Sequence, residues 1–488
     1  MPPSRSLDEL AAVTGGRVVG NGTTRVRDVT HDSRQAGPGT LFVAITGFQV
    51  DGHAFAGGAV ERGSPAVAVE HELDLAVPQL VVASTRSSLA GLAAEVHGQP
   101  SRRLALVGVT GTNGKTTVTH MIEAMAIGAG KKAGLIGTVR TRVGGENVPT
   151  VRTTPEASDL QRILAHMADR GAEVVAVEVS SHALELGRVD SIWFEVAAFT
   201  NLGHDHLDFH HTEDAYFAAK ARLFDPVRSR TAVIWVDDAA GRRLAEEVRV
   251  PVLTVGTSPG VDIRGRIVRA GLSSLEVDVD GVPGLGHLTV PVGGAFNAAN
   301  ALVALGCAVA LGFDPSAAAA GLADLSPIPG RFELVSGDDP VGVIIDYAHT
   351  PDGISAALEA VRGAATGRVA VVVGAGGDRD HEKRPLMGAA AARADAVFVT
   401  SDNPRSEDPD AIIDEVMEGI PADSTVWRQG DRRSAIRAAL TWAEAGDVVL
   451  VLGKGHERGQ EVAGTVVPFD DRQVAREELR TLRGGTVR

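Results

Sequence analysis

Five short stretches carry residue types that do chemistry. GTNGKTT (111–117) sets glycines, a lysine and two threonines between a β-branched run and a helical pattern. Backbone N–H groups of such a loop, and of the helix behind it, bind phosphate. Lys115 would reach the β and γ phosphates and Thr116 would ligate Mg²⁺. The spacing departs from the common phosphate loop: Gly111 stands three residues before Gly114, and Val109 holds the position that pattern makes glycine. The order strand, loop, helix outweighs that departure. Glu178 ends the run VVAVEVSSH, and an acid on a strand beside a phosphate loop holds Mg²⁺ or its water; the ordinary reading is a strand-end glutamate in solvent. NLGHDHLDFHH (201–211) packs four histidines and two aspartates. Imidazole suits zinc, but the stretch has no cysteine and no HExxH, so a Mg²⁺ shell with one histidine is the alternative. A loop of solvated histidines is the third reading, weakened by the apolar Leu207 and Phe209.

AYFAAKARLF (215–224) reads as an amphipathic helix with Tyr216, Lys220 and Phe224 on one face. A lysine there either snorkels outward or is buried and chemically altered. SDNPRSEDP (401–409) holds three acids, one arginine and two prolines. Pro404 rules out a helix interior or a central strand, so Asp402, Asn403 and Arg405 share a rigid turn.

The elements that must position these residues follow from pattern. The chain has 488 residues, which suggests three domains at ~150 residues each. Short strand-like runs (RVRDVTHDS, GTLFVAITG, SPAVAVE, PQLVVAS) fill the first hundred residues. HGQPSRR (97–103) reads as a linker. A βα series starts at LALVGVTGTNGKTT, FNAANALVALGCAVALG reads as a buried helix, and a second βα series starts at VGVIIDYAHTPDG. Boundaries therefore fall near residues 102 and 332. In the last block four apolar runs end in polar clusters: Asp346 and His349; Asp378 and Arg379; the Asp402 turn; and Lys454, His456 and Glu457. The carboxyl ends of an open parallel sheet face one crevice, so these four segments should meet at one site. Lys plus Arg is 47 and Asp plus Glu is 62, a formal charge of −15. Such a chain is not expected to track nucleic acid or insert in an anionic membrane. With Cys307 as its only cysteine, no secretory signal and no long apolar stretch, it is expected to be cytoplasmic.

Taken together, GTNGKTT, EVSSHAL, the DHLD-x-H run, AAKARLF, GAFNAAN, PGRFE and DYAHTPD resemble the Mur ligases, ATP-dependent amino-acid ligases of peptidoglycan synthesis, in the family's order. DNPR (402–405), GGDRD and GKGHE resemble the members that add diaminopimelate to UDP-N-acetylmuramoyl-L-alanyl-D-glutamate. The resemblance implies an α/β fold of three domains: a small UDP-sugar-binding α/β domain (1–102), a central P-loop domain with a parallel or mixed sheet (103–331), and a Rossmann-like open sheet binding the incoming amino acid (332–488). It implies that Ser33, Phe48, Gln49 and Val50 hold the UDP end, and that Thr153, Thr154, Ser180 and Arg188 hold the muramoyl peptide. ATP would lie on Gly111, Thr112, Asn113, Gly114, Lys115, Thr116 and Thr117, with Asn297 and Asn300 at the adenine and Arg331 and Asp346 closing over it. Thr116, Glu178, His206 and a carbamylated Lys220 would hold Mg²⁺, and Lys115, Glu178, His206 and Lys220 would serve catalysis. Arg379, Asp402, Asn403, Pro404, Arg405, Gly453 and Glu457 would hold diaminopimelate. The enzyme is expected to act as a monomer. Arg152, Leu186 and His204 depart from residues found in some relatives.

Arg405 is the expected source of selectivity. A guanidinium grips the far carboxylate of diaminopimelate in a bidentate fork, while Asp402 and Glu457 accept from the far ammonium. Lysine lacks that carboxylate and would leave Arg405 unpaired. The ordinary reading of Arg405 is a solvated turn residue capping Glu407 and Asp408.

Overall fold

The computed structural model of the chain describes residues 4–47, 50–143, 145–148 and 152–484. Phe48 and Gln49, expected at the UDP end, lie outside the described residues. Three principal sheets follow one another along the chain. The first has five strands in the order Arg17–Val19, Gln79–Val81, Ala66–Val69, Thr40–Val43, Asp28–Thr30, parallel except for Arg17–Val19. The helix Thr85–Val96 packs beside it through Leu89, Leu92 and Ala93, and the short 3₁₀ turn Pro100–Arg102 leads out of this unit.

The second sheet has eleven strands. Its middle is parallel: Ala133–Ile136, Val174–Glu178, Ala105–Thr110, Phe194–Phe199, Ser229–Trp235 and Val252–Gly256 lie side by side. The central strands are near-continuous Val, Ala and Ile runs because both faces are covered. The helix Lys115–Gly128 covers one face together with Asn297–Ala310, the helix expected from its alanine-rich pattern; Ala157–Asp169 and Phe224 pack on the other. Antiparallel strands extend both edges.

The third sheet has six strands, ordered Glu333–Leu334, Gly342–Asp346, Val448–Leu452, Val369–Val373, Ala396–Val399, Val426–Arg428; all but the first are parallel. Helices Pro351–Arg362, Lys383–Ala391 and Pro409–Glu418 cover one face, and Arg432–Trp442 and Asp471–Leu482 the other. The last parallel strand in the chain, Val448–Leu452, inserts between the first two, so neighbouring strands lead to opposite faces and a crevice opens at their carboxyl ends. The turn into this unit is tight. Gly330 has φ of +62°, and a Cβ there would stand 2.0 Å from the Gly455 carbonyl carbon. Glycine is the residue that fits both demands. Together the three sheets and their helices make the α/β architecture that the motifs imply.

Candidate active site

The strand Ala105–Thr110 runs into Gly111, and the helix Lys115–Gly128 starts four residues after that glycine. Gly114 has φ of +88°, and a Cβ there would meet Asn300 Oδ1 at 2.2 Å. The loop therefore closes only with glycine. Asn201 accepts from Asn113 N at 2.9 Å, and Asn113 O accepts from Thr200 at 2.6 Å. Lys115 Nζ donates to the carbonyls of Gly111 and Thr112, both at 2.8 Å. Asn297 and Asn300 form a buried pair at the head of the helix Asn297–Ala310, with Asn300 Nδ2 donating to Asn297 Oδ1 at 2.7 Å.

Glu178, wholly buried at the end of Val174–Glu178, accepts from Thr116 Oγ1 at 2.9 Å and from the N–H and hydroxyl of Thr138 at 2.8 and 2.9 Å. Thr138 passed unnoticed in the sequence; its place after the apolar run GLIG was the available signal. Thr138 Oγ1 in turn accepts from the Thr153 hydroxyl at 2.9 Å. Thr154 donates to the Glu178 carbonyl at 2.7 Å, and Arg188 pairs with Glu156 at 2.9 Å. Ser180 caps the helix Ser181–Glu185. A cleft of about 210 Å³ gathers Lys115, Thr116, Glu178, Ser180 and His206. Arg331 reaches it from the linker: Nη2 stands 3.3 Å from Thr116 Oγ1, and the guanidinium lies 4.4 Å from the Tyr347 ring centroid. Asp346 stands behind this arginine. It accepts from Phe332 N at 2.7 Å and Ala348 N at 2.8 Å, so it shapes the linker turn.

The four histidines of 204–211 do not converge. His206 faces the cleft, 3.4 Å from Asp205 Oδ2, while His210 bonds Ser181 at 2.9 Å, His204 is half-buried and His211 is exposed. Among the described residues no three His, Cys, Asp or Glu side chains come together as a metal site, so the zinc reading of this stretch is not supported. Burial pushes the His206 imidazole down to about 3 against the pull of Asp205. It is therefore neutral and free to act as a ligand near pH 7. Burial also pushes the Asp205 carboxyl up, but His206, His349, Lys383 and Lys115 more than offset it. Asp205 lines both central clefts and was missed because only histidines were weighed there.

Lys220 lies on the helix Glu213–Ala221 with Tyr216, and Phe224 follows in a 3₁₀ turn; all three are 1% exposed. Its Nζ donates to the Gly111 carbonyl at 2.8 Å and stands 4.2 Å from the Tyr216 ring centroid. That carbonyl is the one Lys115 also uses. Burial holds the Lys220 amine well below its ordinary range, and Lys115 adds to the effect.

A second cleft of about 340 Å³ adjoins the first and shares Asp205, His206, Tyr347 and His349 with it. Its far wall is the crevice of the third sheet, with Arg379, Asp402, Asn403, Arg405, Gly453 and Glu457. Clusters from all four strand ends thus meet. Gly453 has φ of +108°, and a Cβ would stand 2.5 Å from Asp402 Oδ2. Burial raises the Asp402 carboxyl, opposed by Arg432 and Lys454. Arg405 has φ of +53° and is clasped through its backbone, with N donating to Glu461 O at 3.0 Å and O accepting from Ala463 N at 2.7 Å. Its guanidinium bonds the Gly377 carbonyl and lies 3.5 Å from Glu461. Glu407 is taken by Arg384 instead, at 2.9 Å on each oxygen, so Arg405 does not cap it.

Ser33 opens a 3₁₀ turn whose neighbours His31, Asp32, Arg34 and Gln35 line a third cleft with Arg152, Glu156 and Asp159, of about 420 Å³. Val50 is 54% exposed.

The whole chain has known relatives. The Mur ligase family catalytic domain matches residues 25–106, the Mur ligase middle domain residues 109–308, and the Mur ligase glutamate ligase domain residues 330–455. A Streptomyces coelicolor protein named UDP-N-acetylmuramoyl-L-alanyl-D-glutamate–2,6-diaminopimelate ligase is 45% identical over 478 residues, covering 95% of this chain and 94% of its own. A Geobacillus thermodenitrificans protein of the same name is 44% identical, covering 97% and 99%. A solved structure of a ligase of that name superposes with a TM-score of 0.69 at 32% identity, over 99% of this chain and all of that one. A Thermotoga maritima MurF ligase solved with ADP shares the fold, with a TM-score of 0.64 at 21% identity.

Proposed function

The chain belongs to the Mur ligase family, and on that premise we propose that it joins diaminopimelate to the D-glutamyl γ-carboxylate of UDP-N-acetylmuramoyl-L-alanyl-D-glutamate at the expense of ATP. The observation that carries this reading is the continuity of the two central clefts. A phosphate loop opens into a crevice whose far wall holds two arginines, two acids and an asparagine, with Asp205 and His206 at the junction. Amide formation from a carboxylate needs that adjacency. The γ-carboxylate attacks the ATP γ-phosphorus and ADP leaves; the diaminopimelate amine then attacks the acyl carbon and phosphate leaves.

Residues 1–102 bind the UDP end, residues 103–331 bind ATP and the peptide, and residues 332–488 bind the amino acid. Lys115 turns from its own loop carbonyls to the transferred phosphate. Thr153, Thr154, Ser180 and Arg188 orient the D-glutamyl arm, and Arg331 approaches the phosphates from the linker. Asn297 and Asn300 flank the nucleotide behind the loop, and Asp346 steadies the Arg331 turn. Mg²⁺ fits the donors present: the Thr116 hydroxyl and Glu178 carboxylate are hard oxygens 2.9 Å apart, with the neutral His206 ring on the same cleft. When bound, the ion offsets the charge that ATP and the carboxylate bring together. Two ammonium groups on the single Gly111 carbonyl repel each other, which favours a neutral Lys220 amine. That amine adds to CO₂ and loses a proton, giving a carbamate, an anionic oxygen donor of the kind Mg²⁺ takes.

Phosphate release, measured with each component omitted in turn, tests the reading. A ligase releases stoichiometric phosphate only with ATP, the muramoyl dipeptide and diaminopimelate all present. Equal release from ATP alone would contradict it.

A further inference from the structure

We propose that Lys454 is a positioning residue that sets the polarity of the amino-acid crevice, by locking the Asn403 carboxamide and the Glu457 carboxylate in one orientation. Lys454 is wholly buried just past the strand Val448–Leu452. Its ammonium donates to Asn403 Oδ1 and to Glu457 Oε2, both at 2.9 Å. The backbone N–H of Glu461 donates to the same Asn403 oxygen at 3.0 Å. An ammonium and an amide N–H only donate, so the amide atom between them must be the oxygen. The other end of the carboxamide is then NH₂, and it donates to Glu457 Oε2 at 2.8 Å.

Two consequences follow for a bound ligand. Glu457 Oε2 is occupied by two donors, which leaves Oε1 as the acceptor facing the crevice. Asn403 has one N–H left over, so it presents a donor. With Asp402 beside them, the crevice holds an acceptor pair for a far ammonium, Glu457 and Asp402, and a donor pair for a far carboxylate, Arg405 and Asn403. Burial works against the Glu457 carboxylate, and Lys454 with Asn403 more than offsets it. Lys454 stands behind these residues and acts through them. Without it the carboxamide is free to turn over, and Glu457 loses its compensating charge. A purely structural ion pair would affect all amino-acid substrates alike. Orientation of the crevice affects most those that carry the far ammonium, because they lose the acceptor pair as well as one donor to the far carboxylate.

This inference rests on the reading of the crevice as a diaminopimelate site. The test measures kcat and KM of the full-length enzyme for meso-diaminopimelate and for 2-aminopimelate, which lacks one ammonium, in the unaltered protein and in Lys454→Met. The variant is expected to raise KM for diaminopimelate about ten- to a hundredfold, with kcat within about threefold. Its preference for diaminopimelate over 2-aminopimelate should shrink at least about tenfold. An unchanged preference, or an equal loss on both substrates, would overturn the proposal while leaving the function intact. Failure of the unaltered enzyme to use diaminopimelate would overturn both. If Lys454→Met does not fold, the isosteric Asn403→Asp decides: it keeps the oxygen for Lys454 but removes the donor to Glu457, so the same loss of preference is expected. Unaltered selectivity in that variant would mean the NH₂ does not face Glu457.

Discussion

At the scale of single residues, the account rests on charges held where water is scarce. Arg405 is three-quarters buried, with a loose partner in Glu461 at 3.5 Å and a backbone clasped from both sides. Its guanidinium is thus placed before any ligand arrives. Arg405→Lys keeps the charge but not the planar fork, so activity at fixed diaminopimelate should fall by at least ~100-fold. The ATP KM should hardly move, which steady-state kinetics in each substrate will show. Lys220 is the second buried group on which the account rests. Lys220→Ala should nearly abolish ligation, and acetate or formate should restore part of it by filling the vacated space with a carboxylate. Lys220→Arg cannot be carbamylated, so it should be inactive and not rescued; full activity in that variant, assayed by phosphate release, would end the carbamate proposal.

At the scale of elements, the strands of the third sheet bring the crevice together, and ion pairs behind them hold the turns. Arg384 has no exposed surface and donates to both Glu407 oxygens at 2.9 Å, which holds that carboxyl down at about 2. The folded value lies below the unfolded one of ~4.3, so Glu407 adds stability above about pH 5 and loses it as pH falls toward 2. Glu407→Gln should therefore destabilise the protein by about 1–2 kcal/mol at pH 7, a figure reduced for partial exposure. Melting temperatures should show the gap closing between pH 5 and pH 2; a pH-independent gap would assign the loss to packing. The strands themselves were readable in the sequence because their Val-rich runs stop at polar clusters. The pairings were not. Nothing local says that Glu407 turns to Arg384 rather than to its chain neighbour Arg405, since that choice depends on the helix Lys383–Ala391 packing beside the turn.

At the scale of the whole molecule, function depends on clefts between successive units: the third cleft lies between the first and second, and the two central clefts between the second and third. The loops were legible one by one: the phosphate loop, Glu178 and the Asp402 turn all line the central clefts. Asp205, Thr138 and Lys454 gained meaning only from contacts made across the chain, such as the 51 positions between Asn403 and Lys454. Arg331 on Thr116 spans 215 positions and ties the linker to the phosphate loop. Movement of the last domain against the second would therefore open or close the ATP cleft and the amino-acid crevice together. The most direct test of the central claim is a competition. Enzyme, ATP, Mg²⁺ and UDP-N-acetylmuramoyl-L-alanyl-D-glutamate are mixed with equimolar meso-diaminopimelate and L-lysine, and the nucleotide product is weighed by mass spectrometry. The account predicts a product carrying diaminopimelate, with the lysine adduct at least about a hundredfold rarer. A lysine product of comparable abundance would contradict it.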